Sequence, residues 1–261
     1  MAVGTLPRSI PAWLAGVVQE LELTRPRIVT VDDVARILPH SRPVVRNGIL
    51  ELTKRGWLRP TGIRATYEFI PGEAAGPFPS GDPWLVLRAE LEHYPGAFHV
   101  GATSAAWLHG YAQRAPRPHI VVARSETWIP RPLRTNYTVL LTCPAPASDQ
   151  KDELLLPTPS ELLAEVAQLA PRLKLDAAQG WMRRLFDDTT PEEIAETLRG
   201  RSPATRARAG YFAEICGAQS HANAIAAVGI HGAGPYYTGP SHTGGGEYAP
   251  RWRVHDSGHV A

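Results

Sequence analysis

At 261 residues, 43% of them hydrophobic and 20% charged, the chain has the composition of a globular protein of one or two domains. No apolar run is long enough for a helical membrane span, and no charged-then-apolar segment opens the chain, so neither a membrane partner nor a signal peptide is expected and a cytoplasmic location is. Cys143 and Cys216 lack the close spacing of a metal or redox pair and read as reduced, buried thiols. The net charge is only +2, but it is unevenly spread: residues 1–70 hold ten basic and six acidic residues, and residues 41–70 hold six basic and two acidic.

Pro11 to Leu23 predicts a first helix with Trp13, Leu14, Val17, Val18 and Leu21 on a broad apolar face, broken by Pro26. Thr30 and Asp33 form a capping box for a second helix whose core face is Val31, Val34, Ala35 and Leu38. Pro39–His40 is the turn, and Ser41 is the N-cap of a third helix. In that helix Val45, Ile49 and Leu52 recur at spacings of four and three, so Arg42, Arg46, Asn47, Thr53 and Lys54 fall on the rest of its circumference. Gly56 ends it. Two β-prone runs, Trp57–Arg59 and Ala65–Ile70, are joined by Pro60–Thr61–Gly62–Ile63–Arg64 as a hairpin. Helix, helix, tight turn, helix and hairpin is the order of a winged helix-turn-helix, with positive charge where a phosphate backbone would lie. The expected DNA-binding residues are Ser41, Arg42, Arg46, Asn47, Lys54, Arg59 and Arg64. Arg42 and Arg46, one helical turn apart, suit guanine, and Asn47 suits adenine. Lys54, Arg59 and Arg64 suit phosphates.

The Gly- and Pro-rich stretch after Ile70 is a boundary, giving a DNA-binding domain over 1–75, a linker over 76–81 and a larger domain over 82–261. Asp82–Pro83 opens a helix carrying Trp84, Leu87, Leu91 and Tyr94 on one face. Phe98–Val100 is a short strand, Thr103 caps a compact helix through Trp107, and His119–Ala123 and Tyr137–Leu141 are strands joined by a loop holding Arg124, Arg131 and Arg134. After the strand Leu154–Leu156 the pattern turns helical. Thr158–Glu161 and Thr190–Glu193 both read as capping boxes with proline at the first position, heading helices to Leu169 and Leu198. Asp176–Phe186, a helix opened by Ser202–Pro203, and His221–Val228 complete the set, and Arg251–Val254 adds a closing strand. The fold class expected is α+β: an N-terminal winged helix-turn-helix with a larger mixed α+β domain.

Catalysis and metal binding are disfavoured. Asp149–Gln150–Lys151 mimics part of a metal-dependent nuclease, but the stretch from Pro83 to Ser148 offers no Asp to share the metal, and a solvated turn is expected. His221, His231, His242, His255 and His259 crowd the last forty or so residues without a four-ligand spacing, and Gly244–Gly246 lacks the Lys–Ser/Thr of a phosphate loop. Trp84 and Trp107, on apolar faces, read as core. No cofactor is expected.

Several runs resemble a known family: Gly56–Trp57–Leu58, Tyr67 to Ala75, Asp82–Pro83–Trp84, and Gly101 to Trp107. Together they look like the AbiEi-type antitoxins of type IV toxin–antitoxin systems, closest to the actinobacterial branch. The resemblance covers most of the chain, weakening after about Leu154 and returning near Tyr236 and Trp252. It implies a winged-helix domain followed by an antitoxin domain, repression of the chain's own operon through promoter inverted repeats, and a neighbouring toxin of nucleotidyltransferase fold. It implies DNA contact by the third helix and wing, which maps onto the seven residues above. The alternative is a stand-alone winged-helix regulator without a toxin, which differs only in what the larger domain binds.

Overall fold

The computed structural model describes residues 9–74, 82–124, 126–142, 148–175, 178–230, 232–239 and 246–256. The anticipated linker 76–81, Cys143, His231, His242 and His259 lie outside them. The chain divides into two compact units, Met1–His93 and Tyr94–Ala261.

In the first unit a 3-10 turn at Ala12–Leu14 leads into α1 (Ala15–Thr24). The helix stops not at Pro26 but at Arg25, which turns left-handed with φ 46°. A short strand β1 (Ile28–Thr30) follows, then α2 (Val31–Ile37), α3 (Arg42–Lys54), β2 (Leu58–Pro60) and β3 (Thr66–Phe69). Strand β3 lies centrally, antiparallel to both neighbours, with Arg59 opposite Glu68 and Val29 opposite Tyr67. The three helices and the sheet share one apolar core, in which Leu14, Val17, Val34, Val45, Ile49 and Leu52 are nearly or wholly buried. Trp13, expected on the core face, is instead exposed, because the 3-10 turn rotates it outward; its ring edge lies over the bare backbone of Gly48.

The start and stop of the helices are set by local hydrogen bonds. The Thr30–Asp33 box forms in both directions: Thr30 N–H donates to Asp33 Oδ2 at 2.8 Å, and Asp33 N–H donates to Thr30 Oγ1 at 3.2 Å. Ser41 occupies the N-cap of α3 but its hydroxyl makes no capping bond. Pro43 at the second helical position removes one of the two amides such a hydroxyl can reach. At the other end Gly56 adopts φ 75°, and Gly56 N–H and Trp57 N–H return to the carbonyls of Thr53 and Leu52 at 3.1 and 2.9 Å. That pair of bonds is a Schellman closure, and it delivers Trp57 to the core beside Leu52 at the entry to the hairpin.

Helix α4 (Leu85–His93) groups with this unit. Asp82 N–H donates to Glu68 Oε1 at 3.1 Å, which ties the segment before α4 to β3. The Asp82 carboxylate accepts from Trp84 N–H at 2.9 Å and from Arg88 Nε at 3.0 Å, so Asp82 does cap the turn, although the helix itself begins at Leu85.

The second unit is mixed α+β. Strands β4 (Phe98–Val100), β5 (Ile120–Arg124) and β6 (Thr138–Thr142) form a sheet in that order, antiparallel then parallel. The region between β5 and β6, expected as a loop, contains the helix α6 (Arg131–Asn136), started by Pro132 within its first turn. The earlier α5 (Ala102–Leu108) is capped at Gly101 rather than Thr103. Asp149–Lys151 is not a turn: it lies in β7 (Ser148–Lys151), which pairs with β8 (Leu154–Pro157). The turn sits at Asp152–Glu153, both with positive φ, as a two-residue hairpin of this twist requires.

Helices α7 (Pro159–Leu169), α8 (Ala178–Asp187), α9 (Pro191–Arg199), α10 (Pro203–Ile215) and α11 (Gln219–Val228) then pack around a second core. The Thr190–Glu193 capping box forms as expected, and Ser202 accepts from Thr205 N–H at 3.2 Å. The Thr158–Glu161 box does not form: Glu161 is paired instead with buried Arg201, which comes from the stretch before α10. A small sheet of β9 (Tyr236–Tyr237), β11 (Val254–His255) and β10 (Tyr248–Ala249) closes the unit, with Trp252 wholly buried against Gly210 of α10.

Candidate nucleic-acid interface

The candidate interface is built on α3. Its core face is Val45, Ile49 and Leu52, which fixes the opposite face outward, and Ser41, Arg42, Arg46 and Asn47 are all exposed. Arg42 and Arg46 project from one side of the helix, four residues apart. They line a groove of about 600 Å³ with Arg64 from the β2–β3 connection, Thr30, Asp32, Thr66, Tyr67 and His93. Lys54 is exposed at the far end of α3, about 18 Å along the axis from Arg42 at 1.5 Å per residue.

Ion pairing sorts the six cations of residues 41–70 into two sets. Arg55 is held by Glu51 at 2.6 Å. Arg59 donates from Nε to Glu68 Oε2 at 2.7 Å and is clamped by a second bond to the same oxygen. Glu68 is almost buried and also holds Asp82, so it is a fixed anion rather than a passing surface partner. Among the described residues Arg42, Arg46, Lys54 and Arg64 have no acidic partner within ion-pair distance. The structure therefore brings Arg42, Arg46 and Arg64 together around one groove, sets Asn47 and Ser41 beside it on the exposed face, leaves Lys54 at the periphery, and engages Arg59 internally.

The second unit's polar chemistry is buried. His99 on β4 and Glu165 on α7 form a buried pair at 2.5 Å between Nε2 and Oε2. The other carboxylate oxygen accepts from Ala102 N–H at 2.7 Å, so the orphan amide at the start of α5 is satisfied by a side chain from α7. Close approach explains Gly101: a Cβ there would stand 2.6 Å from Glu165 Oε1 and 2.3 Å from Val122. Asp256 accepts from Tyr211 Oη at 2.7 Å and Thr238 Oγ1 at 2.8 Å, and burial together with that carboxylate pushes the Tyr211 phenol well above its usual range. Burial also pushes the Cys216 thiol up to about 12. His221 bonds the carbonyl of Thr189 and packs on Phe186; His255 stacks on Tyr237. Trp84 is buried and Trp107 half-buried against His119. Sequence reasoning missed the His99–Glu165 pair, whose members lie on elements with no local relation.

Residues 99–215, from His99 at the centre of that buried pair to the end of α10, match the family model of the AbiEi antitoxin C-terminal domain. Over this segment the chain is similar to the AbiEi-type antitoxins. The family resemblance seen in the sequence is thereby supported independently over the antitoxin region. The crystal structure of the RV2827C protein from Mycobacterium tuberculosis has the same fold: TM-score 0.79 at 24% identity, covering 97% of this chain and 94% of that one. None of the curated proteins compared matches. The buried His99, Glu165, Tyr211 and Asp256 are engaged with one another, with Thr238 or with backbone. No helix of the described residues is long and apolar enough to cross a membrane.

Proposed function

We propose that the first unit is a winged helix that binds operator DNA, and that the chain is the antitoxin and autorepressor of a toxin–antitoxin operon. The antitoxin role rests on the family match over residues 99–215. The observation that carries the DNA reading is the groove flanked by three arginines without acidic partners among the described residues, beside a helix whose first turn is exposed. A helix of this kind enters the major groove N-terminus first, and the β2–β3 connection then reaches the neighbouring backbone with Arg64. Arg42 and Arg46 read guanine, Asn47 reads adenine, and Lys54 and Arg64 hold phosphates. Ser41 sits where the helix meets the backbone. Arg59, engaged by Glu68, makes the weakest contribution of the seven. The operator carries inverted repeats upstream of the chain's own reading frame, and the partner is a neighbouring toxin of nucleotidyltransferase fold.

The test is a gel-shift titration at two salt concentrations, on duplex from the chain's own upstream region and on random duplex. Arg46→Ala weakens operator binding by about 1–3 kcal/mol, roughly 5- to 150-fold, and removes discrimination. Arg64→Ala weakens both duplexes alike and lowers the salt slope by about 0.9. Equal losses on both duplexes for both variants defeat the assignment. Growth rescue on co-expression with the adjacent reading frame tests the antitoxin half separately.

A further inference from the structure

Strand β6 lies at the edge of its sheet: it pairs with β5, and among the described residues its other edge meets no strand. Along about 17 Å, at 3.3 Å per residue, that edge of β6 therefore has amides and carbonyls with no strand partner among the described residues. Edges of this sort are usually blunted by charge or proline; this one reads Thr-Val-Leu-Leu-Thr. Its alternate residues Val139 and Leu141 share a face, and Leu141 is exposed. Trp128 is 65% exposed, a rare state for the largest apolar side chain, and its ring lies 6.4 Å from that of half-exposed Tyr94. Beside them a cavity of about 540 Å³ is lined by Trp128, Ile129, Arg134, Tyr137 and Val139. Leu140, on the opposite face, is partly buried and packs against the core.

Positive charge predominates in the segment that carries this edge. Residues 94–148 contain five arginines and one acidic residue, Glu126, whereas the remainder of the unit is net acidic. Arg124 and Arg131 are exposed and have no acidic partner among the described residues, and Arg134 is aimed by two bonds to the carbonyl of Ile129.

From these observations we infer that the β6 edge, with Trp128 as its anchor, is a docking site for an extended, acidic segment of a partner protein, which adds to the sheet as a strand. Main-chain bonds to β6 supply affinity without sequence preference, an apolar side chain fills the cavity at Trp128, and acidic side chains meet the arginines. Trp, Tyr and Arg are the residues that dominate binding at protein interfaces. A second copy of this chain is the poorer occupant, since a symmetric pairing would set its arginines against their own copies. Nucleic acid is poorer too, because the centre of the site is an apolar strand edge rather than a basic groove. The inference is independent of DNA binding by the first unit.

The test uses the full chain and a synthetic peptide alternating glutamate with valine, followed by calorimetry and by hydrogen exchange of residues 138–142. The expected result is binding with slowed exchange of those amides, weakened about tenfold or more by Trp128→Ala. It is lost when lysine replaces glutamate and when alternate peptide amides are N-methylated. Trp128 is exposed, so its removal leaves the core intact, and the unchanged thermal transition of the variant checks this. Failure of the peptide to bind, binding indifferent to Trp128→Ala or to N-methylation, or equal binding of the lysine peptide overturns the inference. So does Trp128-dependent binding of oligothymidylate that displaces the peptide, which assigns the patch to nucleic acid. Trp128-dependent dimers in sedimentation likewise overturn it in favour of a second copy. None of these results bears on the gel-shift assay.

Discussion

Glu68→Gln is the substitution that separates a positively charged surface from an available one. In the native chain Glu68 occupies the Arg59 guanidinium with one carboxylate oxygen and the Asp82 amide with the other. Glutamine keeps an acceptor for Asp82 N–H but no longer balances Arg59, whose side chain is 42% exposed and free to swing toward a phosphate. The substitution neutralises the nearly buried partner and leaves the 42% exposed Arg59 to be solvated, so the stability cost is about 0–1 kcal/mol after screening by solvent. If the first unit binds DNA as proposed, affinity at low salt rises, because one counterion more is released per complex. One added phosphate contact steepens the plot of log affinity against log salt by about 0.9, so a fourfold increase in salt costs the variant roughly 3.5-fold more affinity than the parent. Fluorescence anisotropy on random duplex across a salt series measures both quantities, and random duplex suffices because a phosphate contact carries no sequence information. An unchanged slope, or a loss of affinity with the fold intact, would refute the view that Glu68 withholds Arg59.

Two further outcomes follow from the second unit. Gly210→Ala places a methyl about 2.0 Å from the ring of buried Trp252, and overpacking of this kind costs about 1–3 kcal/mol or more. That lowers the melting temperature by roughly 2–4 °C per kcal/mol; adding Trp252→Phe to Gly210→Ala should recover part of the loss, and strict additivity of the two would sink the packing account. In a Cys143→Ser background, Cys216 should resist alkylation at pH 8 in the native state and react on unfolding, since burial holds its thiol up near 12; labelling of native protein at the rate of a free thiol contradicts this.

Much that depended on neighbours along the chain was legible in the sequence, though the short helix α6 and the cap of α5 were not, and what depended on distant partners was not. The outward placement of Arg42 and Arg46 follows from helical spacing alone. The Thr30–Asp33 and Thr190–Glu193 boxes are local and formed. The Thr158–Glu161 motif is written the same way, yet Arg201, forty residues on, claims its carboxylate. Arg59 and Arg64 look alike in the sequence; only the hairpin register, which sets Arg59 opposite Glu68, tells the engaged one from the open one. Strand β1 and the closing strands β9 and β10 are too short to show a period. The His99–Glu165 pair spans 66 positions, and no local pattern announces it.

The seat of Trp252 on Gly210 bears on where this protein can be cut. The recognisable antitoxin segment stops at residue 215, but the largest wholly buried side chain of its hydrophobic interior is supplied from 37 residues beyond that limit. A fragment trimmed to the matched segment keeps α10 yet strips the indole from its flank, baring apolar surface that the intact polypeptide conceals. The evolutionary module and the physically autonomous one are therefore not the same object, and dissection by homology alone yields a piece prone to stick to itself.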